Sequence, residues 1–162
     1  MAENEPGRVE RAIKLFNSGC NCAQATLCAF CDDIGIDEKL LLRVASDFGG
    51  GISGTRETCG AITGMLMALG FLRGYDDVTD TEHKHRLYDE GRALIEDFTA
   101  EFGTLTCAEL TRDVAPRFRM APHPLVSDPM CRPCTAFVAY AVSILEKNIK
   151  EAGVIHRDQR NR

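Results

Sequence analysis

The sequence predicts an all-α protein, a single-domain helical bundle of about five to six helices joined by a Gly-rich and a Pro-rich loop. Apolar residues recur at three- and four-residue intervals along most of its 162 residues, and no segment alternates apolar and polar side chains as a half-buried strand would. Residues that start and stop helices stand at the ends of these periodic stretches. A hydrophobic fraction of 44% is enough for one core of its own, so residues 1–162 are read as one domain.

Val9, Ala12, Ile13 and Phe16 define a first helix, and Ala23, Leu27, Phe30 and Ile34 a second. Asp37 is an N-cap for a third, whose Leu40, Leu41, Val44 and Phe48 continue the pattern until the loop "GGGISG" stops it. The next helix opens near Thr58 and ends near Gly74. Asp80 caps the longest one, with Leu87, Leu94, Ile95, Phe98 and Phe102 on one face and Gly103 at its end. A short helix follows Thr106, and a last one spans about 133–152, burying Phe137, Val138, Tyr140, Ala141, Ile144 and Leu145. "APRFRMAPHPLVSDPM" between them reads as irregular, and residues 153–162 as a polar tail.

Charge and patterning exclude several functions. A net charge of −5 and a pI near 5.4, with no basic run, make nucleic acid and anionic membrane surfaces poor partners. The N-terminus lacks a basic start and an apolar stretch, so a cytoplasmic location is expected. The most apolar run, 61–72, contains Thr63, Gly64 and Gly70 and falls well short of the roughly 20 residues that span a bilayer, so no membrane insertion is expected. Gly49, Gly51 and Gly54 match G-x-G-x-x-G, but they follow a helix, which argues against nucleotide binding. The loop is expected instead to supply unusual backbone angles and a nest of N–H groups facing negative sulfur. His83 and His85 point to different sides of a solvated helix, and His123 and His156 lie in irregular or terminal sequence, so none is assigned as a ligand. Asp32–Asp33 and Asp76–Asp77 read as turn and helix-end residues, not as an acid/base pair.

The eight cysteines carry the chemistry. In a reducing compartment such a number points to metal or redox work more than to disulfides. Asn21 and Gln24 form an asparagine variant of the capping box in "NCAQ", which puts Cys22 at a helix's first position. "TCAE" repeats the pattern, with Thr106 as cap, Glu109 reaching back to the cap's own N–H and Cys107 in first place. Cys59 follows Thr58, another cap, and Pro133 suits a first helical turn that contains Cys134, with Cys131 at or before that cap. Free N–H groups and the positive end of each helix dipole are expected to lower the thiol pKa at all four starts. The plainer alternative is four unconnected cysteines that fall near helix ends.

Gly60 and Gly64 form a small-xxx-small pair beside Cys59. Tight helix packing explains it, and bare backbone there also leaves room for a partner sulfur or a cofactor. Cys28 and Cys31, three apart, can pair or bind metal, but core packing is the favoured reading. Cys20 reads as an exposed, incidental thiol. Neither C-x-x-C is followed by histidine, which argues against covalent haem.

"NCAQATLCAF", "FGGGISGTRETCGAITGMLMALG", "FGTLTCAEL" and "CTAFVAYAVSIL" together resemble a redox-active family named for its cysteines around a C-G-A-x-x-G motif, over roughly residues 9–148. The resemblance implies a redox-active protein, often bacterial, whose four characteristic cysteines correspond to Cys22, Cys59, Cys107 and Cys134, with Cys131 the alternative for the last. A related region in split-Soret cytochromes looks like an iron-sulfur module, and this chain lacks that protein's haem motif. Three readings follow. An iron-sulfur cluster held by the four cysteines would move single electrons. A dithiol oxidoreductase using the same cysteines would move electron pairs. A closed four-cysteine zinc site would serve a non-enzymatic scaffold. The wide spacing of the cysteines favours a site assembled by folding, so the cluster ranks first. A redox partner protein is the partner such a role requires, and self-association stays open.

Overall fold

Nine helical segments build the described part of the chain, a computed structural model that covers residues 7–126, 128 and 132–159, with side chains through 152. They are α1 (Arg8–Asn17), α2 (Cys22–Cys28), α3 (Cys31–Ile34), α4 (Glu38–Val44), α5 (Gly60–Arg73), α6 (Thr81–Phe102), α7 (Cys107–Glu109), α8 (Arg117–Met120) and α9 (Thr135–Gln159). The architecture is all-α, as predicted. The number exceeds five to six because two four-residue helices, α3 and α8, are added and the expected short helix after Thr106 counts separately as α7.

The apolar periodicity predicts a second helix through residue 34, but the chain turns at Ala29 and Phe30 and restarts as α3. The helix after Asp37 stops earlier than expected, at Val44, and a 3₁₀ turn, Ser46–Phe48, leads into the glycine loop. α7 widens into a π-helical turn over Leu110–Val114, and α8 forms inside the stretch read as irregular. α9 continues to Gln159, past the expected end near 152. The remaining residues of the tail, 160–162, and Cys131 lie outside the described residues. No described helix is long and apolar enough to cross a membrane.

α2 sits at the centre, packed against α1, α4, α5 and α9. Its Ala23, Ala25, Thr26, Leu27 and Cys28 are all fully buried. Small residues on α5 allow a very close approach: a Cβ on Gly64 would lie 2.5 Å from the Ala23 carbonyl oxygen and 3.0 Å from its Cα. α6 closes the other side through Leu94, Phe98 and Phe102, and Phe98 and Phe102 pack edge-on or tilted against Phe137 and Tyr140 of α9. Arg8 ties three helices together, donating to both carboxylate oxygens of Asp33 at 2.8 and 2.6 Å and to Glu146 at 2.8 Å.

The Asn21 capping box forms as predicted. Asn21 Oδ1 accepts from the Gln24 amide at 2.9 Å, and Gln24 Oε1 accepts from the Asn21 amide at 3.0 Å. Gln24 also donates to the Leu42 carbonyl and Asn21 to that of Ser46, so the cap fastens α2 to α4 and the turn after it. Asn21→Ala is therefore expected to cost about 1 kcal/mol or somewhat more, read as a lower urea midpoint at unchanged slope. An unaltered midpoint would show that the box does not hold this helix start.

The candidate cysteine redox site

Four helices do begin at four cysteines. Cys22 and Cys107 are the first residues of α2 and α7, whereas Cys59 and Cys134 stand one place before α5 and α9. Cys59 is itself the N-cap, displacing Thr58 from that role. The Cys134 carbonyl accepts from the amides of Phe137 at 3.1 Å and Val138 at 3.3 Å, so α9 starts after Pro133 instead of within its turn.

A short backbone splice brings the central two together. Thr58 and Thr106 form an antiparallel bridge, in which the Cys59 amide donates to the Leu105 carbonyl at 2.9 Å and the Cys107 amide to that of Glu57 at 2.6 Å. That pairing replaces the expected "TCAE" box. Thr106 caps nothing with its side chain, its amide donates to Thr104 Oγ1 at 3.1 Å, and Glu109 bonds to Thr104 instead.

The glycines decide how near the segments come. A Cβ on Gly60 would sit 2.9 Å from the Phe48 carbonyl oxygen and 3.1 Å from Cys22 Cβ, so the start of α5 lies directly against the start of α2. Gly64, one turn on, faces Ala23 and Thr26, which makes its bare backbone a matter of helix packing. A Cβ on Gly51 would fall 2.6 Å from Cys107 Cβ. The loop around Gly51 is left-handed at five successive residues, with φ of +61° at Gly50, +73° at Gly51, +64° at Ile52, +49° at Ser53 and +73° at Gly54. For the non-glycines this costs roughly 1–2 kcal/mol each. The unusual angles agree with what the glycine run predicts. The amides of Ser53, Gly54, Arg56 and Glu57 donate to the carbonyls of Asp47, Gly49, Gly50 and Gly51 at 2.7, 3.1, 3.0 and 3.1 Å.

Arg132 anchors the segment that leads to Cys134. It donates to the carbonyls of Phe16 at 2.7 Å and Cys20 at 2.9 Å, and its guanidinium lies 3.9 Å from the centre of the Phe16 ring. Cys20 is thus half-buried and held from its carbonyl, not an exposed, incidental thiol.

Cys59 and Cys107 are 3% and 7% exposed, while Cys22 and Cys134 are half-buried, so the site has a closed inner side and an open edge. Cys22 pairs with Cys134 by a thiol hydrogen bond and feels the charges of Cys59 and Cys107; Cys59 in turn feels Cys134 and Cys107. All four therefore occupy one electrostatic neighbourhood. The expectation that each helix start lowers its thiol pKa is corrected for two of them. The bond to Cys134, then burial, hold Cys22 well above the usual thiol range. Burial pushes Cys59 up to about 12 against the opposing effect of the Ala61 and Ile62 amides, which face its sulfur. Cys134 is lowered, first by accepting the Cys22 proton's hydrogen bond and then, against burial, by Arg132 and Arg56. These two arginines were missed in the sequence, where their only signal is a place two or three residues before a cysteine, in "RETC" and "RPC".

Among the described residues, the cysteines are free thiols, and no group of three or more His, Cys, Asp or Glu side chains is arranged to hold a single metal ion. His83 bonds to the Arg73 carbonyl at 2.8 Å, and His123 is buried among Phe102, Phe118 and Tyr140. Asp32 and Asp33 pair with Arg11 and Arg8, and Asp77 accepts from Thr79, as turn and surface residues do.

The all-α scaffold thus places four helix-start cysteines within one electrostatic neighbourhood. Residues 20–148 match the family described as "Putative redox-active protein (C_GCAxxG_C_C)", and the chain belongs to that family. It is also similar to a protein of Archaeoglobus fulgidus named "Uncharacterized protein", with 26% identity over 160 residues, 93% of this chain and 98% of that one. No solved structure matches.

Proposed function

We propose that the protein is a one-electron carrier whose cofactor is an iron-sulfur cluster held by Cys22, Cys59, Cys107 and Cys134. The observation that carries this reading is the shared neighbourhood of four thiols delivered by four separate helix starts, a donor set suited to soft iron. A single zinc draws its sulfurs to about 2.3 Å from one centre, whereas a cluster spaces its ligands more widely around an iron-sulfide core. Bound there, the cluster would supply a one-electron couple. The chain's own part is to screen and position it. Cys59 and Cys107 close the inner side to water, the Ala61 and Ile62 amides face one sulfur, and Arg56 and Arg132 offset negative charge near Cys134. Gly60 leaves space beside Cys22. Electrons would pass to a redox partner protein at the open Cys22–Cys134 edge.

One observation favours a second reading. In the Cys22–Cys134 pair one thiol keeps its proton while its neighbour is lowered, the arrangement of a dithiol in which Cys134 attacks a disulfide and Cys22 resolves the product. An anaerobic preparation analysed for iron, sulfide, zinc and visible absorption separates the two. Iron and sulfide in stoichiometric amounts, with a one-electron couple, are expected. Metal-free protein that reversibly loses two alkylatable thiols at Cys22 and Cys134 would replace the cluster with the dithiol. Stoichiometric zinc and no redox change would overturn both.

A further inference from the structure

We propose that Cys28 and Cys31 form a second, separate redox site, a dithiol that a small hydroperoxide converts to a disulfide. Ala29, with φ −59° and ψ −24°, and Phe30, with φ −104° and ψ 13°, have the dihedrals of the two central residues of a type I turn. The first and fourth Cα atoms of such a turn are within about 7 Å, which overlaps the roughly 4.4–6.8 Å that a disulfide spans. The turn between α2 and α3, unexplained by the apolar pattern, thus keeps the Cα atoms of the two cysteines within the reach of a disulfide.

Both thiols are buried, and they differ in which of them solvent reaches. Cys28 has no exposed surface, and Cys31 is 9% exposed at the edge of the core. Cys31 Sγ donates to the Ile36 carbonyl at 3.3 Å. The Arg11 guanidinium reaches it from α1 while paired with Asp32 at 2.5 Å and Glu38 at 3.2 Å. Burial raises both thiols, Cys28 up to about 12, and Glu38 adds to the rise while Arg11 works against it, so the pair is expected to react slowly. It is also distinct from the four-cysteine site. Cys22 and Cys28 are the first and last residues of α2, about 9 Å apart along its axis.

The chemistry balances with the hydroperoxide as oxidant. Cys31 sulfur attacks the outer oxygen, the O–O bond breaks, and the alcohol or water leaves with the Cys31 proton, giving a sulfenic acid. Cys28 sulfur then attacks Cys31 Sγ, the S–O bond breaks, and water leaves with the Cys28 proton. Two thiols lose two electrons to one O–O bond, and a thiol reductant reverses the change.

The inference does not rest on the cluster, and its test reads it separately. The 162-residue protein is treated with equimolar hydrogen peroxide, blocked with N-ethylmaleimide, digested and fragmented, with iron and sulfide measured on the same samples. The tryptic peptide 15–39 should show a two-hydrogen mass loss confined to Cys28 and Cys31. Cys28→Ser should lose the linkage and leave a dimedone-reactive Cys31, and Cys31→Ser should leave Cys28 unoxidised. Helical circular dichroism confirms that both variants fold. Full alkylation of Cys28 and Cys31 after peroxide, or oxidation confined to Cys22 and Cys134, would overturn the proposal, whatever the iron content.

Discussion

Gly64→Val is expected to destabilise the protein by about 3 kcal/mol or more, a fall in melting temperature of roughly 10 °C for a chain of this size. The contact is with backbone, not with a side chain that can turn away. Even a Cβ would stand 2.5 Å from the Ala23 carbonyl oxygen, so α5 must back away from α2 and unpack Ile62, Met65 and Leu69 with it. Gly70 on the same helix supplies the contrast. Nothing lies within 4 Å of its missing Cβ, so Gly70→Ala should stabilise by up to about 1 kcal/mol through helix propensity alone. Differential scanning fluorimetry on the pair reads both signs at once. A Gly64→Val protein that melts with the unsubstituted one would show that the close approach of α2 and α5 is not what holds the site's two central helices.

Cys59→Ser is the second large effect, and it concerns the site more than the fold. Serine keeps the size of the side chain and replaces a soft sulfur by a poor iron ligand. On the proposed cluster, anaerobically purified Cys59→Ser is expected to lose iron and visible absorption that the unsubstituted protein carries, while Cys20→Ser, outside the four, should match the unsubstituted protein in both. The fold should survive, because the Cys59 amide and its bond to the Leu105 carbonyl are untouched. Retention of iron and sulfide by Cys59→Ser would remove it from the ligand set.

What was legible in the sequence was local. Asp80 accepts from the His83 amide, Gly103 ends α6 at φ +83°, and Asn21 with Gln24 makes its box, each from residues within a single turn. The break between α2 and α3 was hidden because a type I turn keeps its residues near helical angles, so the apolar rhythm runs on through it. Thr106 and Glu109 had the right letters for a cap. The bridge to Thr58 took the backbone elsewhere, and a single bridge is too short to leave an alternating pattern. The helix-start cysteines were visible for the same local reason as the caps. Their acidities were not, since burial of Cys59 and the pairing of Cys22 with Cys134 come from segments distant in sequence.

The bridge between Thr58 and Thr106 also sets a timetable. It closes a long stretch of chain that includes both α5 and α6, and such closures come late, because the entropy of bringing the ends together is lost before any contact rewards it. Cys22 and Cys59 leave the ribosome first and can meet on α2 and α5, while Cys107 and Cys134 arrive only after α6 has been made. A folding chain therefore passes through a stage with two of these four thiols in place and the other two absent. Maturation of the site is in this sense a clasp that shuts last, and a factor that loads or oxidises these thiols would meet a different protein before and after it shuts.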